Sequence, residues 1–169
     1  MLIQAAVVHE KGQEFVIEDV QIKEPKANEV LVRIVASGIC HSDEVVRNQI
    51  APIPLPAVLG HEGSGIVEKI GSGVQSVQPG DHVILTFSSC GHCKHCLKGR
   101  PAYCLIRRQI NFSGKAYDGT HRFYLGDQPL SNFNGQGSFA TFAVVHERNV
   151  VKVDKDIDIA LLGPLGCGL

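Results

Sequence analysis

Four closely spaced cysteines constrain the fold of this chain more than any other feature of its sequence. They follow the spacing C-x2-C-x2-C-x7-C, and they are Cys90, Cys93, Cys96 and Cys104. Four thiolates at such short spacing on a loop can close tetrahedrally around one zinc ion, and Gly91 and Gly99 give the backbone the freedom to wrap. A zinc ion with four thiolates has no open coordination position, so we expect this site to be structural and not catalytic.

Other interpretations of the cluster fit the sequence less well. A bacterial iron–sulfur site needs C-x2-C-x2-C-x3-C-P, whereas here seven residues separate the last two cysteines and Leu105 takes the place of the proline. Two disulfides need an oxidising compartment, and the N-terminal segment from Met1 to Glu10 lacks the basic start of a signal peptide. His92 and His95 lie inside the cluster, but with four thiols available we expect both to be bystanders in solvent.

The overall composition indicates a globular domain and argues against several partners. The chain has 169 residues, of which 44% are hydrophobic and 20% are charged, which suits one domain with a sizeable core. Its formal net charge is −1 and it has no basic block, so nucleic acid is not expected as a partner. Its apolar runs are too short to span a bilayer. With no export signal visible, the expected compartment is the cytoplasm.

Short runs rich in Val and Ile alternate with turn residues, a pattern typical of an all-β barrel or sandwich. Strands are predicted at residues 4–8, 15–22, 30–36, 64–70, 82–86, 138–145 and 150–153. Helix is scarce: the pattern predicts one short helix over 42–49, with Ser42 as its N-cap, and a second that could begin at 158–162. Residues 51–58 and 90–134 are predicted as loops, the second of them held by the metal site.

Cys40, His61 and Cys167 form a second candidate set, although they lie far apart in the sequence. Taken singly, a cysteine is most often a small buried hydrophobic residue, and a histidine is usually just hydrogen-bonded. Taken together, two thiols and one imidazole are a ligand set of catalytic zinc, which keeps its fourth position for water or substrate. The sequence alone does not establish that the three side chains meet in space.

The motifs around these residues follow one another in an order that covers essentially the whole chain. They are Gly38-Ile39-Cys40-His41-Ser42-Asp43, Gly60-His61-Glu62-Gly63-Ser64-Gly65, Gly80-Asp81-His82-Val83, the four-cysteine cluster and Gly166-Cys167-Gly168. In this combination the chain resembles the zinc-dependent medium-chain alcohol dehydrogenases. The resemblance implies a mainly β fold, a GroES-like β-barrel catalytic domain over residues 1–169, with an inserted zinc lobe at about residues 88–107.

The resemblance also implies roles for single residues. The second candidate set matches the ligands of the catalytic zinc, and the four-cysteine cluster matches those of the structural zinc. Glu62 matches an acidic residue beside the catalytic metal, and Asp43 matches a carboxylate that orients the imidazole of His61. Ser42 matches the hydroxyl that takes the proton of the alcohol.

Two positions depart from the pattern of the family. Many members continue the proton relay to a histidine three positions after the serine or threonine, and here that position is Val45, which cannot carry a proton. Many members also have an arginine directly after the first zinc cysteine, where it meets the cofactor pyrophosphate, and here the residue is His41. We therefore expect His41 to contact the cofactor and the proton to leave Ser42 through solvent or another group.

The activity that the resemblance implies is oxidation of a primary alcohol to an aldehyde, with hydride transfer to NAD. The choice between NAD and NADP depends on an acidic or basic residue of the nucleotide-binding half, so these residues leave it open. Residues 111–114 and 161–168 are similar to the aryl-alcohol (benzyl-alcohol) dehydrogenase branch, so an aromatic alcohol is the first expectation for the substrate. Phe87, just before the zinc lobe, is a candidate wall of the substrate pocket or an ordinary core residue. The alternatives are short-chain alcohols, the glutathione–formaldehyde adduct, and a zinc-stapled GroES-like binding module without catalysis.

The family places a dinucleotide-binding fold after the second zinc cysteine, and the chain has no strand–GxGxxG–helix unit that would form one. Its end is apolar up to Leu169. We therefore expect the Rossmann domain to be absent from these residues, and the residues alone to have little or no dehydrogenase activity. For the full-length protein we expect a homo-oligomer.

Overall fold

The computed structural model describes residues 1–168; Leu169, the last residue of the apolar end, lies outside them. The strands are β1 Leu2–Val8, β2 Val16–Ile22, β3 Glu29–Gly38, β4 Ala57–Val58, β5 Glu62–Ile70, β6 His82–Leu85, β7 Phe123–Leu125, β8 Gln128–Asn132, β9 Phe142–His146 and β10 Val150–Val153. The α-helices are short, and they are α1 His41–Arg47, α2 Arg107–Phe112 and α3 Leu165–Gly168. Single 3-10 turns lie at Cys96–Lys98, Pro101–Tyr103, Phe133–Gly135, Glu147–Asn149 and Ile159–Leu161.

The strands form a closed barrel and a second sheet. The barrel runs in the order β1, β2, β7, β8, β4, and the five-stranded sheet in the order β10, β6, β5, β3, β9. Neighbouring strands are antiparallel, except that β4 and β8 are parallel. The predicted mainly β, GroES-like barrel with few short helices is therefore confirmed.

Alternating side chains explain how β1 closes one side of the barrel. Three alternate residues of this strand point into the barrel core and are buried, namely Ile3, Ala5 and Val7. Leu2 points to the opposite face of the strand and is exposed. A second apolar cluster consists mainly of side chains of the five-stranded sheet. A third cluster packs Val46 of α1 against residues at and near the ends of β1 and β4. Among residues 1–168, no helix combines the length and the apolar character that crossing a membrane requires.

The first helix begins earlier than predicted, because its N-cap is Cys40 and not Ser42. The backbone N–H of Cys40 donates to Asp43 Oδ2 at 3.2 Å, which closes a capping box at this end. The helix ends at Arg47, and Gln49 just beyond it has a left-handed backbone with φ of 55°. A member of the second candidate set therefore starts the helix.

The prediction of one long loop over 90–134 is wrong for its second half, which contains α2, β7 and β8. These elements are too short to show a clear periodicity, and β7 and β8 are recognisable as strands only because they close the barrel. The strand predicted from residue 138 begins only at Phe142, because the backbone N–H groups of Ser138 and Phe139 donate to the residues before His61 and not to a sheet neighbour. The second predicted helix is only a 3-10 turn, capped by Asp158.

Candidate metal centres

The four cysteines of the lobe hold their sulfur atoms at metal-binding distances. Cys96 Sγ lies 3.8 Å from Cys90 Sγ and 3.6 Å from Cys93 Sγ. A zinc ion that binds sulfur at about 2.3 Å in tetrahedral geometry separates its sulfur ligands by about 3.8 Å. All four donor atoms lie within 4.8 Å of one another, and the cysteines are free thiols, so this cluster fits a structural zinc ion and not disulfides.

Backbone N–H groups prepare these thiols for a metal ion. The N–H of Cys93 donates to Cys90 Sγ and that of Cys90 donates to Cys104 Sγ, both at 3.3 Å. The N–H groups of Cys96 and Leu105 lower the pKa of Cys93 to about 5, whereas burial raises the pKa of Cys96 to about 11. At neutral pH the cluster therefore holds thiolate and thiol groups together, and a metal ion that binds all four sulfurs displaces the remaining protons.

Buried amide side chains anchor the lobe to the rest of the domain. Asn111 on α2 accepts the N–H of Ser88 and donates to its carbonyl, both at 2.8 Å. Asn149 donates to the Ser88 hydroxyl at 2.7 Å. Neither amide was predicted to have this role, since no motif marks an asparagine whose partner lies more than 20 positions away in the sequence.

Three separate elements bring Cys40, His61 and Cys167 together. Cys40 follows β3 and caps α1, His61 directly precedes β5, and Cys167 lies on α3. Their donor atoms and a carboxylate oxygen of Glu62 all lie within 4.8 Å of one another, and His61 Nε2 is 3.2 Å from Cys167 Sγ. Two sulfurs and one nitrogen fit a catalytic zinc ion, because three protein ligands leave its fourth coordination position for water or substrate.

Asp43 orients the histidine of this second cluster from a position on α1 where it is buried. Its Oδ1 accepts hydrogen bonds from His61 Nδ1 and from the Gly60 N–H, both at 3.0 Å. With Nδ1 engaged by the carboxylate, Nε2 is the atom that faces the cluster. Burial by itself lowers the pKa of His61, but the hydrogen bond and charge of Asp43, together with Cys40, outweigh burial and raise this pKa overall.

Glycines allow α3 to approach the sheet closely enough to place Cys167 in the cluster. A Cβ atom built on Gly166 would lie 1.8 Å from the carbonyl oxygen of Leu85, and one built on Gly163 would lie 2.2 Å from that of Glu62. Neither position can hold a larger residue without moving the backbone of α3. Gly163 and Gly166 therefore serve the close packing of this segment against the sheet, whereas a Cβ atom on Gly168 would meet no atom within 4 Å.

A cavity of about 240 Å³ opens beside His61 and Cys167. Phe87 lines it, which favours the pocket-wall alternative for this residue over an ordinary core position. Arg107 and Asn134 also line the cavity, and the sequence analysis did not single them out. Both lie in or beside the stretch predicted as a loop, where no periodicity or spacing indicated which way a side chain would face.

The remaining predicted site residues lie on α1 at the edge of the cluster. Ser42 is exposed, and its Oγ lies 3.6 Å from Cys40 Sγ. His41 is exposed as the first residue of the helix, and Val45 is half-buried one turn further on.

Gln136 also supports the second cluster, although no sequence motif marked it. It is fully buried and donates to the carbonyl of His61 at 2.9 Å.

Solved structures match this fold closely. The crystal structure of benzyl alcohol dehydrogenase from Acinetobacter calcoaceticus is 50% identical, with a TM-score of 0.93 over 99% of this chain and 45% of its own. That of an alcohol dehydrogenase zinc-binding domain protein from Burkholderia ambifaria is 47% identical, with a TM-score of 0.96 over 99% of this chain and 46% of its own.

Relatives of known sequence agree with the structural matches. Geraniol dehydrogenase from Castellaniella defragrans is 49% identical over 168 residues, which are 98% of this chain and 45% of that protein. The chain spans about half the length of the curated relatives it matches. The family model of the alcohol dehydrogenase GroES-like domain matches residues 26–155. The chain thus belongs to the GroES-like domain family of the zinc-binding medium-chain alcohol dehydrogenases.

Proposed function

We propose that this chain forms the zinc-carrying catalytic domain of an enzyme that oxidises a primary aromatic alcohol to its aldehyde. In this reaction the alcohol carbon gives a hydride to NAD, and the hydroxyl proton is released. The observation that carries the proposal is the convergence of Cys40, His61 and Cys167 at the end of a cavity. A binding module would need the barrel, with or without the lobe, but not a second donor set that leaves a coordination position open.

Each residue around the metal ion has a separate role in this proposal. Cys40, His61 and Cys167 would hold zinc, and Glu62 lies where it can approach the same position. What zinc supplies at such a site is Lewis acidity, which lowers the pKa of a hydroxyl group. Asp43 keeps the imidazole in the orientation that presents Nε2 to the cluster.

The route by which the hydroxyl proton of the alcohol leaves depends on Ser42 and Val45. The Ser42 hydroxyl lies beside Cys40 Sγ and is exposed, so it can accept the hydroxyl proton of the alcohol and pass it outward. Val45, three positions on, has no group that could continue the relay, and the proton therefore passes to solvent from Ser42. The absence of a relay histidine at this position also disfavours the glutathione–formaldehyde alternative.

We propose that NAD is bound mainly by residues outside the 169 described by this sequence, since the curated relatives are about twice as long. The exposed imidazole of His41 at the start of α1 would contact the cofactor pyrophosphate from this side. By the same reasoning, the 169 residues alone would bind zinc but have little dehydrogenase activity.

An aromatic substrate is supported by the lining of the cavity and by one relative. Phe87 offers an aromatic wall beside His61 and Cys167. A benzyl alcohol dehydrogenase is 50% identical to this chain. Geraniol dehydrogenase, at 49% identity, makes an unsaturated aliphatic alcohol the second candidate.

Turnover by the zinc-loaded full-length protein tests the proposal, because the 169 residues alone are expected to have little activity. We expect benzyl alcohol to be oxidised with NAD, with a kcat/KM well above that for ethanol. His61→Gln should remove this activity and one zinc ion per chain, whereas His92→Gln, which changes an exposed histidine of the lobe that is not one of its four sulfur ligands, should keep both. Full activity of His61→Gln would contradict the catalytic assignment, and no oxidation of any alcohol by a protein that holds two zinc ions would favour the binding module.

A further inference from the structure

Arg107 is a charged residue in the wall of the cavity that opens beside His61 and Cys167. It begins α2, three positions after the last cysteine of the lobe, and lines the same cavity as His61 and Cys167. Its guanidinium carbon lies 5.1 Å from the centre of the Phe87 ring. Stacking on this ring limits the orientations of the guanidinium group while leaving its N–H edge free to donate.

This guanidinium has no acidic partner among residues 1–168. The ion pairs of the described chain engage Arg33, Arg47 and Arg122 among the arginines, but not Arg107. None of the residues that line the cavity is acidic, and Asn134 adds a neutral amide to the wall. The cavity therefore presents His61 and Cys167 at one place and, at another, the guanidinium of an exposed arginine that has no acidic partner.

The size of the cavity limits the ligand that can reach both places. Its volume is about 240 Å³, and a cavity of about 150 Å³ is enough to bind benzene. The remaining space suits a hydroxymethyl group and one small substituent on the ring. A substituent that faces a guanidinium fork is bound most strongly when it is a carboxylate, because two parallel charge-assisted hydrogen bonds form.

We infer that Arg107 makes the enzyme selective for aromatic alcohols that carry a carboxylate on the ring, with the carboxylate on Arg107 and the hydroxymethyl group at the Cys40–His61–Cys167 cluster. This inference rests on the proposed function. Arg107 is then a specificity residue that touches the substrate away from the reacting carbon. Its neighbour Arg108 stacks on Phe112 at 5.7 Å and does not line this cavity, which makes it a matched control on the same helix.

The test compares 4-(hydroxymethyl)benzoate with benzyl alcohol as substrates of the zinc-loaded full-length enzyme. Charge-assisted hydrogen bonds of this kind correspond to about 10- to 100-fold in kcat/KM. We expect Arg107→Gln to lower kcat/KM for the carboxylated alcohol by at least about tenfold and to change that for benzyl alcohol by less than about threefold. Arg107→Lys should lose part of the preference because it keeps the charge but not the fork. Arg108→Gln should leave both values unchanged.

Equilibrium binding supplies a second readout that does not depend on turnover. Calorimetry with 4-(hydroxymethyl)benzoate should show a dissociation constant at least about tenfold higher for Arg107→Gln than for the wild type. An equal loss for both alcohols with a raised KM for NAD would overturn the inference, because Arg107 would then serve the cofactor. Equal use of both alcohols by the wild type would overturn it as well and leave the proposed function standing, whereas failure to oxidise either alcohol would count against the proposed function itself.

Discussion

Replacing Gly166 by alanine is expected to remove the metal ion from the second cluster and to leave the four-cysteine lobe loaded. Gly166 directly precedes Cys167 on α3, and a Cβ atom there would lie 1.8 Å from the carbonyl oxygen of Leu85. The Thr86 hydroxyl donates to the Gly166 carbonyl at 2.8 Å and fixes the same turn to β6. The helix cannot accept a methyl group without moving away from the sheet.

The size of this movement decides the outcome. Ordinary contacts of a Cβ atom begin at 3.4 Å, so α3 has to retreat by about 1.6 Å to relieve the overlap with Leu85. Metal–ligand distances tolerate changes of only about 0.2 Å, and Cys167 moves with the helix. Because changes in residues that merely support a ligand already lower metal affinity by about 10- to 100-fold, we expect a loss of at least about 100-fold here.

Helix propensity predicts the opposite change in stability, so the experiment distinguishes local helix preference from tertiary packing. Alanine inside a helix is favoured over glycine by about 0.5–1 kcal/mol, so Gly166→Ala would be stabilising if local structure decided the outcome. Gly168→Ala is the matched control, since a Cβ atom there meets no atom within 4 Å. This control should keep two zinc ions per chain.

Zinc content of the purified protein by elemental mass spectrometry, and zinc affinity by chelator competition, measure the effect. We expect two zinc ions in the wild type and Gly168→Ala, and one in Gly166→Ala. Cobalt substitution would identify the retained site by its thiolate absorption, which is stronger with four sulfur ligands than with two. Two zinc ions with unchanged affinity in Gly166→Ala would refute the argument that close packing of α3 places Cys167.

Three further outcomes are expected. Asp43→Asn should lower the zinc affinity of the second cluster by about 10- to 100-fold, because the carboxylate orients His61, and chelator competition with unchanged affinity would contradict this. Cys104→Ser should leave one zinc ion per chain, and an elemental analysis that still finds two would rule out Cys104 as a lobe ligand. The hydrogen bond from Lys152 holds the pKa of Asp81 below its usual value, so this pair stabilises the fold at pH values above the unfolded pKa of about 3.9, and the stabilisation disappears as the pH falls through the folded pKa. Asp81→Asn should therefore lower the free energy of unfolding most near neutral pH, and a denaturant titration that gives the same difference at pH 7 and below pH 3 would exclude this role.

The sequence was sufficient wherever a feature depends on neighbouring residues. The four lobe cysteines lie within a short segment, so their spacing alone predicts that the chain can wrap around one ion. The strands of the five-stranded sheet were predictable from runs of apolar residues, because the side-chain period of two is a local property. The turn and strand signals together predicted an all-β barrel or sandwich, and the structure has a closed barrel beside a five-stranded sheet.

The tertiary structure alone decided which distant residues meet. His61 and Cys167 are 106 positions apart, and their donor atoms lie 3.2 Å from each other only because α3 packs against the sheet. The resemblance to a family suggested this pair, but no spacing in the sequence could establish it. Arg107 illustrates the same limit: its charge was visible in the sequence, while the cavity that it lines exists only once the lobe has folded against the barrel. Local chemistry selects the residues that can bind a metal ion or an anion, and packing over long sequence separations determines where their atoms converge.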